Sequence, residues 1–342
     1  MSGPVSGHRP CLAFAFDPAA AAGVLTRPCL DRLASCCDIV DETPLRAFDG
    51  AAAPAILARI EILLTGWGCP RIDLQVLASA PRLRLIAHSA GSIRAIVAPE
   101  AFERGIVVTN AASANAVPVA EFTLAAILLA NKRVLQFRDL YRDRRAAVPR
   151  PLLADPAIGN FRRAVGIVGA SRIGRRVIEL LRPFDLAVAL YDPHVSPAEA
   201  LALGVRAMPL DELLAASDIV SLHAPSLETT RHMIDARRLA LMRDGATLIN
   251  TARGALVDQE ALERELVSGR IGAIIDVTVP EVLPASSPLY TLPNVLLTPH
   301  IAGALGNERE RLGLLAVEEI ERFVRGEPLR HALSPDTLHL QA

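Results

Sequence analysis

At 342 residues the chain is long enough for two domains, each with its own core. Hydrophobic residues make up 51% and charged residues 21%, which excludes a disordered chain, and a formal net charge of -1 leaves no long-range pull toward nucleic acid or an anionic membrane. The cysteines Cys11, Cys29, Cys36, Cys37 and Cys69 form no C-x-x-C pair and no Cys/His cluster with zinc spacing. They read as free thiols in a reducing cytoplasm, and no metal site is expected.

The first element, "CLAFAF", is too short for a signal segment and is stopped by Asp17 and Pro18. It reads as a strand, and "EILL", "LRLIAH" and "IVVT" follow with the same apolar, β-rich character. "VPVAEFTLAAILLANKR" predicts a helix with Pro118 near its start and Glu121 in its first turn. Apolar on most faces, it is expected to be buried between domains or subunits. Its apolar run reads as too short to span a bilayer. The basic stretch from Lys132 to Arg150 carries no interleaved aromatic platform and reads as a solvated or interface helix. "AVPRPLLADPAIGNF" is a loop laid over a surface.

A second α/β series opens at Val165: "VGIVG", "LAVALYD", "DIVSLHAP", "ATLINTA", "GAIIDV" and "NVLLTPH". A terminal helix over roughly Asn307 to Arg325 closes the chain, acidic early and basic late. Strands alternating with helices throughout predict parallel sheets covered by helices.

The turn "VGIVGASRIG" carries the first chemical signal. Gly169 and Gly174 stand at the first and third positions of a dinucleotide-binding G-x-G-x-x-G, with Ser171 at the second. Serine is a small replacement, and the helix N-terminus behind it still offers free N–H groups to an anion. Asp192 ends the next apolar strand, where a carboxylate accepts from ribose hydroxyls and repels a 2′-phosphate. NAD is therefore expected in preference to NADP, although Asp192 also reads as a turn residue before Pro193.

Three further polar segments sit at the ends of predicted strands, where ligands bind in open α/β sheets. Arg253 lies in "NTARGALVD", Asp276 and Glu281 in "IIDVTVPEVLP", and His300 in "LLTPHIAG". Singly, each has an ordinary explanation as a surface cation, a loop carboxylate or a helix-entry residue. Together they supply a guanidinium for a carboxylate, an imidazole for proton transfer and a carboxylate to support that imidazole. Reduction of a 2-oxo acid by a nicotinamide needs that set.

These segments, with "SAGSI", "ERGIVVTNAASANAVPVAEFTLAAILLA", "LYDP" and "GRIGAIIDV", resemble the D-isomer-specific 2-hydroxyacid dehydrogenase family over nearly the whole chain. The resemblance implies Arg253, Glu281 and His300 as the catalytic residues. It implies cofactor contacts from Arg172, Ile173, Asp192, Ala224, Thr251, Ala252 and Asp276, with His223, Pro225 and Gly303 as candidates beside them. The loop Ser89, Ala90, Gly91 and Ser92 aligns with the one whose backbone N–H groups bind the substrate carboxylate. Trp67 in "TGWG" either lines the substrate cleft or is an ordinary core or lid tryptophan.

The implied architecture is α/β: two doubly wound parallel-sheet domains, a Rossmann-type NAD domain over 117–306 inserted in a flavodoxin-like substrate domain over 1–116 and 307–342. A homodimer built around the long helix is implied with it, and the cysteine reading above makes the expected location cytoplasmic. Three departures stand out: Ser171 for glycine, Ile93 and Arg94 in "GSIR" where members commonly show Gly-Val-Asp-Asn, and Val282 where proline is usual. The activity implied is NAD-dependent interconversion of a 2-oxo acid and a D-2-hydroxy acid. A dehydrogenase of another small anion (formate or phosphite) and a NAD(H)-sensing, corepressor-like interaction protein stay open beside it.

Overall fold

A computed structural model describes residues 8–335, so the outermost ends of the expected substrate domain lie outside the described residues. The chain divides into two compact units, Met1–Asn115 with Ala304–Ala342, and Ala116–Gly303.

The first unit is built on five parallel strands: β1 (Cys11–Ala15), β2 (Asp38–Ile39), β3 (Ile62–Thr65), β4 (Leu85–His88) and β5 (Val107–Asn110). Their order, β2-β1-β3-β4-β5, is that of a flavodoxin-like sheet. Because successive side chains alternate between faces, β1 feeds two cores. Leu12 and Phe14 pack with Ala316, Val317 and Ile320 of the terminal helix (Arg309–Val324). Ala13 and Ala15 pack with Leu63, Ile86 and Val108 on the other side. Burial on both faces is why β3 and β4 read as unbroken apolar runs.

The second unit carries seven parallel strands: β6 (Ala164–Val168), β7 (Ala187–Tyr191), β8 (Arg206–Ala207), β9 (Ile219–Leu222), β10 (Thr247–Asn250), β11 (Gly272–Ile275) and β12 (Val295–Leu297). The order β12-β11-β10-β9-β6-β7-β8 reverses direction between β6 and β9, the doubly wound pattern of a dinucleotide-binding sheet. Both sheets therefore have the expected fold class. Two short edge strands, β2 and β8, were not among the predicted elements.

The long helix α1 (Ala112–Asn131) departs from expectation in two ways. It begins earlier, with Asn110 Oδ1 accepting from Ala112 N–H at 3.3 Å, so Pro118 lies inside the helix instead of at its start. At 20 residues it is also long and apolar enough, by length and composition, to cross a membrane, which corrects the reading of its apolar run as too short. Within the second unit Ala120, Thr123 and Ile127 of this helix are fully buried, and the Thr123 hydroxyl pairs with that of Thr251 at 3.0 Å. The basic stretch forms α2 (Val134–Arg144), which buries no residue and pairs Arg138 and Arg142 with Asp139 at 2.8 and 3.3 Å.

Candidate active site

The turn after β6 needs its two glycines for different reasons. Gly169 has φ of 100°, and a Cβ there would lie 2.6 Å from the Ala224 nitrogen. A side chain would therefore close the crevice between β6 and β9. At Gly174 a Cβ would run into the Gly169 carbonyl oxygen, so this glycine lets helix α3 (Arg172–Leu181) sit against the turn.

Ser171 has φ of -60°, which any residue adopts, and it is the N-cap of α3, its Oγ accepting from Gly174 N–H at 3.3 Å. Arg172 and Ile173 open the helix, the first exposed and the second half-buried. Asp192, half-buried after β7, accepts Ala170 N–H on Oδ2 at 2.6 Å and His194 N–H on Oδ1 at 2.8 Å. It thus ties the glycine turn to the end of the neighbouring strand, and each oxygen keeps lone-pair capacity for a further donor.

His223, Ala224 and Pro225 follow β9 on the far side of the crevice. His223 is 4% exposed, its Nε2 lies 2.9 Å from the Ser221 hydroxyl, and Nδ1 has no partner. Burial pushes the imidazole down to about 3, so the ring is neutral. Thr251 and Ala252, both buried, follow β10, with Ala252 N–H donating to Asn250 Oδ1 at 3.1 Å. Gly303 is half-buried at the end of the unit.

Arg253 comes next on the same turn. Gly254 behind it approaches Thr278 so closely that a Cβ would sit 2.6 Å from the Thr278 oxygen. Arg253 donates from Nη1 to the Ala252 carbonyl at 2.5 Å. Burial lowers its pKa, and the Glu281 carboxylate raises it in turn, which places an acid within electrostatic reach of the guanidinium.

Thr278 clamps the loop after β11, its hydroxyl bonding the Pro280 and Glu281 carbonyls at 2.8 and 2.9 Å. Glu281 Oε1 then meets His300 Nδ1 at 2.5 Å, with both side chains exposed, 60% and 48%. His300 sits at φ of 55°, in the left-handed region that a non-glycine residue seldom adopts.

Asp276 holds that turn. It is 2% exposed and accepts Thr298 hydroxyl (2.6 Å) and Ile301 N–H (2.7 Å) on Oδ1, and Ala302 N–H (2.9 Å) on Oδ2. Its carbonyl takes His300 N–H at 2.9 Å. Three donors from one loop make Asp276 a positioning residue for His300, a role that sequence reasoning missed.

In the first unit the loop Ser89–Ser92 follows β4. Ser89 is fully buried, and both its N–H (2.7 Å) and its hydroxyl (2.8 Å) donate to the Thr65 carbonyl. Its N–H is therefore taken up inside the fold, leaving the backbone donors of Ala90, Gly91 and Ser92 for any ligand. Asn110 Nδ2 donates to the Gly91 carbonyl (2.7 Å) and Ala111 N–H to the Ala90 carbonyl (2.9 Å), which fixes the loop.

His88 fixes it from below. This buried ring meets the Thr65 hydroxyl through Nδ1 at 2.9 Å and the Ser92 backbone, and burial pushes its pKa down to about 4. Ile93 is buried and Arg94 exposed. Trp67 follows β3, where the sheet order reverses between β1 and β3; its carbonyl accepts Asp17 N–H at 2.9 Å, and the Arg309 guanidinium lies 5.6 Å from the ring centre.

The family model for the D-isomer specific 2-hydroxyacid dehydrogenase NAD binding domain matches residues 124–302. The chain belongs to that family. Its second unit is the family's NAD-binding domain, and the crevice described above fits the dinucleotide: a turn no Cβ could enter, a helix N-terminus and a strand-end carboxylate.

The chain is 35% identical over 319 residues to a glyoxylate reductase of Thermofilum pendens, covering 89% of this chain and 90% of the relative. It is 33% identical over 291 residues to the D-3-phosphoglycerate dehydrogenase of Mycobacterium tuberculosis, covering 84% of this chain and 54% of the relative. The chain thus spans about half the length of the phosphoglycerate dehydrogenases that it matches. Among solved structures, D-lactate dehydrogenase of Aquifex aeolicus complexed with NAD and lactic acid is similar at TM-score 0.68 and 28% identity, covering 93% of this chain and 96% of that one.

Proposed function

We propose that the protein is an NAD-dependent dehydrogenase interconverting a 2-oxo acid and the D-2-hydroxy acid. The observation that carries this reading is the His300–Glu281 pair, with Arg253 on the adjoining strand end. Bound NADH supplies the hydride that reduces the oxo carbon. Arg253 offers a fork of N–H donors that grips a carboxylate and polarises the neighbouring carbonyl. His300, held through Nδ1 by Glu281, keeps Nε2 to give a proton to the carbonyl oxygen and to take it back in the reverse direction. In the first unit, the backbone donors of Ala90, Gly91 and Ser92 and the Trp67 side chain after β3 are the further candidate substrate contacts.

Asp192 confers the preference for NAD. Arg172, Ile173, His223, Ala224, Pro225, Thr251, Ala252 and Gly303 line the dinucleotide. The assay is NADH oxidation with glyoxylate, hydroxypyruvate and bulkier 2-oxo acids. Turnover with at least one supports the reading, and NADH binding without turnover on any contradicts it.

The protein is further read as a cytoplasmic homodimer. The apolar side chains of Leu129, Tyr141, Leu153 and Phe161 are 48–68% exposed on and around α1, α2 and the loop that follows, a surface suited to a second copy. Light scattering at twice the 36.5 kDa chain mass supports the dimer, and a mass of one chain contradicts it.

A further inference from the structure

The helix Arg27–Cys36 ends where β2 begins, and the chain carries a thiol on each side of that joint. Cys36 is the last helical residue and is half-buried. Cys37 caps the helix with extended backbone and is 1% exposed, packed with Leu12, Phe14 and Leu33. Their sulfurs form a thiol–thiol hydrogen bond at 3.7 Å. Arg9 holds the joint from outside, donating to the Ala34 carbonyl and, at 2.6 Å, to the Cys37 carbonyl.

The two thiols are chemically unequal. With the Cys37 thiol as donor the Cys36 pKa falls, against burial and the Glu321 charge and with help from Arg9 and Arg325. The same bond, and burial, push Cys37 up. Cys29 and Cys69 are also pushed up by burial, Cys69 to about 12. The thiolate therefore forms first at Cys36, with a protonated sulfur beside it. Consecutive Cα atoms lie only ~3.8 Å apart, below the ~4.4 Å at which disulfides usually begin, so a bridge here is more easily reduced than a structural one.

We infer that Cys36 and Cys37 form a peroxide-reactive dithiol that closes reversibly to a vicinal disulfide. The Cys36 thiolate attacks one peroxide oxygen and the O–O bond breaks, leaving Cys36 as the sulfenic acid. The departing hydroxide takes up the proton that Cys36 had released. The Cys37 sulfur then displaces the sulfenic hydroxyl, which leaves as water with the Cys37 proton, and the S–S bond forms. Two electrons pass from the sulfurs to one peroxide, which ends as two waters. The pair lies where β1 and β2 begin, whereas Ser89–Ser92 follow the far end of β4. The inference stands independently of which acid the enzyme reduces.

Trypsin releases both residues in one peptide, Leu33–Arg46, which holds no other cysteine. The reduced full-length protein is treated with a few equivalents of hydrogen peroxide, alkylated with iodoacetamide, digested and read by mass spectrometry. Leu33–Arg46 should appear unalkylated and about 2 Da lighter than its reduced form, with Cys11, Cys29 and Cys69 alkylated. Dithiothreitol before alkylation should restore two alkyl groups. In Cys37→Ala, Cys36 should stop at the sulfenic acid and be captured by dimedone. In Cys36→Ala, oxidation of the peptide should slow at least about tenfold. Full alkylation of Leu33–Arg46 after peroxide, earlier oxidation of Cys11 or Cys69, or a disulfide joining two chains in its place would each overturn the site. The unsubstituted protein decides the matter even where a variant fails to fold.

Discussion

Replacing Asp276 by asparagine keeps the shape of the side chain and removes its charge. The carboxylate accepts three donors from residues 298–302 at 2.6, 2.7 and 2.9 Å, in a place 2% exposed to solvent. Asparagine has one acceptor oxygen, so whichever way the amide turns, its NH2 faces at least one of those donors. A bond to a charged acceptor contributes ~1.5–3 kcal/mol, and a stranded buried donor costs about 1–3 kcal/mol. Allowing for overlap between the two, Asp276→Asn should weaken the loop by about 2–4 kcal/mol.

Exchange of the Ile301 and Ala302 amides, read by hydrogen–deuterium mass spectrometry, should then accelerate by roughly 30- to 1000-fold at ~1.4 kcal/mol per decade. The kcat should fall by about 10²-fold as His300 loses its placement, with NADH affinity within a few-fold. Unchanged exchange together with a tenfold or greater loss of NADH affinity would refute the reasoning, because the carboxylate would then serve the cofactor and not the loop.

NADH should support turnover at least about tenfold better than NADPH, a difference above ~1.4 kcal/mol; Asp192→Ala should narrow that gap, and equal kcat/KM for the two cofactors in the unsubstituted enzyme would contradict the role of Asp192. At Ser171 the cap predicts a graded series. Ser171→Gly should cost a few tenths of a kcal/mol and Ser171→Ala about 1 kcal/mol of stability, each with NADH affinity changed less than about tenfold, whereas Ser171→Leu should abolish binding in a folded protein; unimpaired binding in the leucine variant would remove the pyrophosphate from this turn.

His88 and His223 are held neutral, their pKa values pushed down to about 4 and about 3 by burial. The unfolded chain, titrating near the usual ~6.5, takes up the protons first. Their stabilisation is therefore complete above that value and is lost as pH falls toward the folded values, by about 2 kcal/mol per ring at about pH 5. Urea titrations should show it, and His88→Asn should remove one ring's share of the slope; an unchanged slope would place the acid sensitivity elsewhere.

The sheets were legible because residues buried on both faces leave unbroken apolar runs, as at "ILLT" and "LIAH". The two-residue strands β2 and β8 were not, since a pair of residues has no period to read. Pro118 suggested a helix start, but the helix opens at Ala112, five residues before the expected start at Val117, with the Asn110 side chain accepting the Ala112 N–H. At the candidate site, residue types and strand-end positions were visible in the chain. What ties them together was not. Asp276 reaches residues 298–302, and His88 links Thr65 to Ser92, only because parallel strands bring distant strand ends side by side. Ser171 did carry a local signal, a serine three residues before the N–H it caps, inside a glycine motif that reads equally as a phosphate turn.

The central claim is that His300, supported by Glu281, moves the proton in an NAD-linked oxo-acid reduction. The most direct measurement compares His300→Ala with the unsubstituted enzyme on its best 2-oxo acid, with NADH affinity measured in parallel by fluorescence. The kcat should fall by roughly 10² to 10⁴ at nearly unchanged NADH affinity. A variant that turns over at close to the original rate would contradict it.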